Sequence, residues 1–351
     1  MNRFLGSLLL FITILIGGCS ALQPIQEPAP DPAAAQSATP ARYEVPSYHA
    51  FAGLTSVEIW HFLDSAEFDH VPLAPPADYY SEIDISDSAA LRKTLHERIR
   101  DHTVFRYTNS TRPGDPNHKV DTWDIIALAD AHPEEPDRVL DIYQNASFDR
   151  QLAGTRDNPR YDREHSWPKS LGFPSDRLSN PAYSDVHHLF AAYNRYNASR
   201  SNNAYGTGDP SEDARRPTVA NLGRGGHTTV EPDSSNFRFD DVWQTWIGRR
   251  GDVSRAMFYM DARYEGDLFG AMSEPNLELT DDLNLIDSAD VRQTGEVAFM
   301  GLLSVLLQWH KEDPVDNLER RRNTIVHLFQ GNRNPFIDHP EWVSIIYGAN
   351  D

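Results

Sequence analysis

A single cysteine, Cys19, stands in a chain of 351 residues, directly behind an apolar leader. No intramolecular disulfide can form, so the folded part must be held together by its own core. The leader, "FLGSLLLFITILI" after Arg3, is shorter than the roughly 20 residues that span a bilayer. It has the basic start, apolar middle and small-residue end of an export signal. Material for a core is plentiful: 39% of residues are hydrophobic, with 7 Trp, 14 Tyr and 16 Phe. Such a chain folds as a globule.

"IGGC" at the end of the leader resembles the lipobox of bacterial lipoproteins, in which the cysteine is acylated and becomes the first residue of the mature chain. Ser20, in place of Asp, favours the outer membrane by the same resemblance. Residues 20–46, rich in Pro, Ala and Gln, have too little large apolar surface to offset the entropy of ordering and read as a tether. The expected organisation is a signal peptide over 1–18, a tether over 19–46 and one domain over 47–351. The protein is then exported and anchored by lipid on Cys19, with secretion as the alternative.

The formal net charge of −20 argues against a polyanionic partner. The charge is unevenly placed, however. Residues 151–250 carry 13 Lys/Arg against 12 Asp/Glu, which leaves 19 against 40 for the rest of the chain. A near-neutral segment inside an acidic protein can still line a cleft for a phosphate backbone.

Helices dominate the expected fold. Asp87 or Ser88 caps a helix with Leu91, Leu95 and Ile99 on one face, "TWDIIALA" forms another, and "RVLDIY" follows as a strand. "SRAMFYMDARY" and "EVAFMGLLSVLLQWHKED" predict two more helices, the second apolar enough to be central. In "SDVHHLFAAYNRYNASRSNNAYG", Asp185 as N-cap with Val186, Leu189, Phe190 and Tyr193 at helical spacing predicts a helix over about 186–199. Asn202 then falls just past its end.

The chemistry concentrates in "YDREHSWPKS". Glu164 and His165 are neighbours, so in a strand or a helix their side chains point in different directions and suit separate tasks. A carboxylate with an amide such as Asn202 makes a hard oxygen pair for Mg²⁺, which keeps several waters of its own. A neutral imidazole beside it can take a proton from water at neutral pH. Each residue also has a plain structural use: a surface Glu–His pair, an Asn at a helix end, and His187 and His188 as core or surface histidines.

"YDREHSWPKS", then "SDVHHL" and "NASRSNNAYG", together resemble the bacterial endonuclease I family of periplasmic and secreted nucleases. "PDRVLDIYQNASF", "GRRGDVSRAMFYMDARY" and "LLQWHKEDPVDNLERRRNTIVHLFQGNRNPFIDHPEW" extend the resemblance in family order, from about Tyr79 to Trp342. The resemblance implies an α+β, mainly helical single domain around a ββα-metal (His-Me finger) core. It implies His165 as general base, with Glu164 and Asn202 as ligands of one divalent ion, Mg²⁺, for which Mn²⁺ or Ca²⁺ could substitute. Asp185, His187 and His188 would support the site, and Arg177, Arg200 or Lys169 would contact phosphate. Two departures stand out: "FAAYNRYN" replaces the family's usual proline-containing run and sets Arg195 near the metal side, and the disulfides of many secreted relatives cannot form.

The expected activity is metal-dependent, sequence-nonspecific hydrolysis of DNA, with RNA also permitted, to 5′-phosphate and 3′-hydroxyl ends by a monomer that contacts the nucleic-acid backbone. Two alternatives remain: a phosphodiesterase acting on another phosphate ester, and a catalytically silent nucleic-acid-binding envelope lipoprotein.

Overall fold

The computed structural model describes residues 72–109, 118–144, 146–157, 159–208, 236–239, 241–269, 272–288 and 297–348. The leader, the tether and Cys19 lie outside these residues. No helix among the described residues is long and apolar enough to cross a membrane.

The chain alternates helices with short strands. It begins with α1 (Ser88–Ile99), α2 (Thr122–Ala129), β1 (Arg138–Leu140), β2 (Ser147–Asp149), β3 (Tyr161–His165), β4 (Leu189–Tyr193) and α3 (Asn194–Arg200). Then follow β5 (Ala204–Tyr205), β6 (Phe237–Arg238), β7 (Val242–Gln244), α4 (Arg250–Arg263), β8 (Leu268–Phe269), β9 (Met272–Ser273) and β10 (Asn276–Leu279). The rest is α5 (Leu283–Ser288), β11 (Val297–Met300), α6 (Leu303–Glu312), α7 (Asn317–Gln330), α8 (Pro335–Asp338) and α9 (Trp342–Tyr347). The strands form small sheets of two or three, so the architecture is α+β.

Local signals account for many of the boundaries. Asp87 accepts the Ala90 N–H and starts α1, whose buried face carries Leu91, Leu95 and Ile99. Asp121 and Asp124 form a reciprocal capping box at α2. Asp316 caps α7, and Gly331, at φ 86°, ends it in the left-handed conformation that glycine adopts without strain.

The central element is α4, buried on every side and packed against α1, α6, α8 and β10. Its sequence is rich in Arg and Asp, which obscures this position. Those charges are paired: Arg255 bonds Glu319 at 2.6 Å and Arg263 bonds Glu274 at 2.8 Å. The expected central helix in "EVAFMGLLSVLLQWHKED" is instead β11, a break at Gly301, and α6, of which Leu306 and Trp309 are buried. A side chain at Gly301 would lie 2.0 Å from the Thr280 carbonyl oxygen.

The segment 184–206 also departs from expectation. There is no helix over 186–199: residues Leu189–Tyr193 form β4, and the helix begins only at Asn194, so Asp185 is not its cap. All five residues of β4 are buried. A strand buried on both faces shows no polar alternation, and its apolar run satisfies helical spacing equally well. β4 runs antiparallel to β3, pairing Leu189 with His165 and Phe190 with Glu164, and α3 packs on both strands.

Candidate active site

Glu164 and His165 close β3, and the pleat sends them to different surroundings. Glu164 is buried. Its Oε1 accepts the Tyr143 hydroxyl at 2.7 Å and lies 3.2 Å from Arg200 Nη1, at the end of α3. Burial pushes the Glu164 carboxyl up to about 7, against the pull of Arg200 and the Tyr143 hydrogen bond. Oε2 accepts nothing from a described residue and stays open to solvent.

His165 Nε2 lies 3.0 Å from the Tyr183 carbonyl oxygen. A carbonyl can only accept, so this geometry assigns the ring proton to Nε2 and the lone pair to Nδ1. Nδ1 has no partner among the described residues and is not sealed from solvent. Tyr107, Tyr183 and His188 surround the ring at centroid distances of 5.3, 5.1 and 5.4 Å. Burial first, then repulsion from His188, Lys169 and Arg163, holds the imidazole well below its ordinary value. It is therefore neutral at neutral pH and can act as a base.

The remaining expected residues fall into two groups. Asp185, His187, His188 and Arg200 are internal. Asp185 accepts the hydroxyls of Tyr259 at 2.7 Å and Tyr264 at 2.9 Å and the Gln330 amide at 3.0 Å, which ties the approach to β4 onto α4 and α7. His187 packs on Tyr259 at 4.5 Å. His188 fixes its ring by Nε2 at 2.8 Å from the Ala182 carbonyl oxygen, and its own carbonyl accepts the Ser166 N–H at 3.0 Å. Arg200 is buried and donates to the Ser166 carbonyl at 2.7 Å and the His165 carbonyl at 3.1 Å, so its guanidinium serves the end of β3.

Lys169, Arg177 and Asn202 are at the surface. Arg177 is exposed on the loop joining β3 to β4. Lys169 Nζ lies 3.0 Å from the Tyr183 hydroxyl, on the residue whose carbonyl holds His165. Asn202 lies past the end of α3, exposed and without a side-chain hydrogen bond among the described residues. The face of α3 turned to β3 instead carries Asn197, whose Nδ2 donates to the Arg163 carbonyl at 3.4 Å, and, one turn on, Arg200. Arg195 is exposed and off that face, contrary to expectation.

Sequence reasoning passed over Asn197, Tyr143 and Tyr205. Asn197 lies inside the quoted "NASRSN" and becomes visible once the helix is known to start at Asn194. The tyrosines carry no local signal.

His118, Asp121 and Asp124 can each place one ligand atom within 4.8 Å of the others, enough to hold a metal ion. Their present bonds are those of a helix cap. Asp121 accepts the N–H groups of Trp123 and Asn109, both at 2.8 Å, and Asp124 Oδ2 accepts the Asp121 N–H at 3.1 Å and His118 Nε2 at 2.9 Å. The positive end of α2 sits at this cluster, which favours anions over a cation.

Comparison with known proteins gives the family. The sequence pattern of the family described as Endonuclease I matches residues 88–341. A relative named "Extracellular ribonuclease" from Bacillus subtilis (strain 168) is 34% identical over 280 residues, 79% of this chain and 81% of the relative. A second of that name, from Bacillus amyloliquefaciens, is 33% identical over 277 residues, 79% and 80% of the two chains. The chain belongs to the Endonuclease I family and is a nuclease, hydrolysing phosphodiester bonds.

Proposed function

We propose that the protein is a metal-dependent, sequence-nonspecific endonuclease whose catalytic centre is the β3–β4–α3 unit, a ββα-metal core. One observation carries this most directly: at the end of β3, Glu164 Oε2 and His165 Nδ1 have no hydrogen-bond partner among the described residues and are not sealed from solvent. The first suits a hard cation and the second a proton. The donor set fits one divalent ion, Mg²⁺ in the first instance, held by Glu164 and by an amide of α3. Asn197 is better placed for that role than the expected Asn202, because it shares the face on which Arg200 meets Glu164.

Held by Glu164 and an amide of α3, such an ion would supply positive charge where negative charge builds up on the phosphate during hydrolysis. His165 Nδ1 takes a proton from the attacking water. The Tyr183 carbonyl keeps Nε2–H in place, and that contact strengthens as the ring becomes cationic. The water oxygen bonds to phosphorus opposite the 3′ oxygen, which leaves and takes a proton from solvent, giving 5′-phosphate and 3′-hydroxyl ends. Lys169 and Arg177 supply cationic contacts to the backbone and read no base.

DNA and RNA both fit such a mechanism, since it does not use the 2′-hydroxyl, and the names of the two relatives favour RNA as a substrate. Those names also favour export, and the leader and Cys19 add anchoring by lipid.

The test is cleavage of supercoiled plasmid and of structured RNA by the soluble domain, with Mg²⁺ or with chelator, beside His165→Ala. Cleavage should need metal and fall by a factor of at least about 10² in the variant. Undiminished cutting by His165→Ala would refute the assignment of the base.

A further inference from the structure

We propose that Tyr143 and Tyr205 are positioning residues, a pair of hydroxyls that locks the Glu164 carboxylate by one oxygen so that the other is presented to the metal. The inference rests on Glu164 being the metal's carboxylate ligand.

Four side chains close a ring. Tyr143 donates to Glu164 Oε1 at 2.7 Å, and its oxygen lies 2.9 Å from the Tyr205 hydroxyl. The Arg200 guanidinium sits 4.7 Å over the Tyr205 ring and returns to Glu164 Oε1 at 3.2 Å. The direction of the protons follows from valence. An ionised carboxylate can only accept, so Tyr143 gives its proton to Glu164 and must take the proton of Tyr205. Both phenolic protons thus run one way, toward the carboxylate, and each bond strengthens the other.

The ring is held from outside. Asp141 accepts the Tyr143 N–H at 2.6 Å and the Tyr193 N–H at 2.8 Å, which fastens the loop bearing Tyr143 to the end of β4. Tyr205 is set by β5, paired in parallel with Trp243 of β7, whose indole meets the Tyr143 ring edge-on at 5.3 Å. A carboxylate gripped twice on one oxygen cannot turn, and Oε2 keeps a fixed bearing. Outer partners of this kind typically contribute 10- to 100-fold in metal affinity.

The alternative is a buried network that only stabilises the fold, and the two differ in what they do to metal binding. Tyr143→Phe, Tyr205→Phe and Glu164→Gln should be titrated with Mn²⁺ by calorimetry as the soluble domain, and their urea midpoints taken without metal. The expected result is a Mn²⁺ affinity about tenfold weaker in Tyr143→Phe and severalfold weaker in Tyr205→Phe. In both, kcat should recover at saturating metal and KM for nucleic acid should stay unchanged. Urea midpoints that fall while both tyrosine variants keep wild-type Mn²⁺ affinity would overturn the proposal. If Tyr143→Phe does not fold, the Tyr205→Phe titration decides alone. Glu164→Gln separates the two levels: a loss of Mn²⁺ binding there with none in the tyrosine variants sinks only the positioning role, whereas no loss in Glu164→Gln sinks the metal-site assignment itself.

Discussion

Replacing Arg200 with Met offers a measurement of the site's electrostatics that does not depend on catalysis. Arg200 is 1% exposed and Glu164 is 2% exposed, so water reaches little more than one carboxylate oxygen and relieves little of either charge. The substitution keeps much of the volume, removes one half of a buried ion pair, and strands the carbonyl oxygens of His165 and Ser166. Breaking such a pair from one side costs about 3–5 kcal/mol.

Part of that cost depends on pH in a calculable way. The Glu164 carboxyl is pushed up to about 7, above its value in the unfolded chain. A raised acid contributes stability that is fully present below its unfolded pKa and is lost as pH rises through its folded one. Without Arg200 the carboxyl rises further, and the loss continues to higher pH. Near pH 8 the wild-type carboxyl is ionised and recovers about 1.4 kcal/mol by being so, a gain that the variant forgoes. Near pH 5.5 both proteins hold Glu164 protonated and this difference vanishes. Urea unfolding followed by tryptophan fluorescence, in chelator at the two pH values, should therefore show the cost of Arg200→Met to be greater at the higher pH by about 1.4 kcal/mol. In a Glu164→Gln background the pH dependence should disappear. A cost equal at both pH values in the presence of Glu164 would refute the pairing as the source of the shift.

Other expectations follow from the same geometry. Asn197→Ala should weaken Mn²⁺ binding about tenfold or more while Asn202→Ala leaves it within about twofold; the reverse order would return the amide role to Asn202. His188 is held at about 4 by burial, so its contribution to stability is complete above about 6.5 and is lost as pH falls toward 4. His188→Gln should accordingly cost roughly 2–3 kcal/mol less near pH 4.5 than near pH 7.5 by urea unfolding, and a cost that grew on acidification would contradict a neutral buried imidazole. Gly172→Ala should lower stability by roughly 1–3 kcal/mol in thermal melts. Gly172 has φ +111°, and a Cβ there would lie 2.8 Å from Leu277 Cδ2 and 3.1 Å from Ala298 Cβ. An unchanged melting temperature would mean that the turn relaxes freely.

What was legible in the sequence is what adjacency and short periodicity can express. Glu164 beside His165 implied two directions and two tasks, and the strand delivers them to separate surroundings. The cap at Asp87 is likewise local chemistry. β4 was misread because a fully buried strand lacks the polar alternation that marks one; α4 was read as a helix, but its charged residues left the central place to the more apolar segment after it. The choice between two amides turns on the same segment. A helix drawn from 186 set its end near Asn202, whereas the true helix presents Asn197 to β3. Tyr143 and Tyr205 stand 21 and 41 residues from Glu164, at separations set by tertiary folding and by no repeat of helix or strand (164 − 143 and 205 − 164).

The bolts that secure β4 come from the far end of the chain. Arg322 on α7 bonds Asp130 at 2.7 Å and donates to the carbonyls of Val186 and Leu189, and Gln330 donates to Asp185 at 3.0 Å. A ribosome delivers these donors more than a hundred residues after Glu164 and His165. Until then β4 is held by β3 and by Asp130 and Asp141, without these later fastenings. The ribbon that carries Glu164 and His165 therefore gains its last fastenings only once α7 has been made.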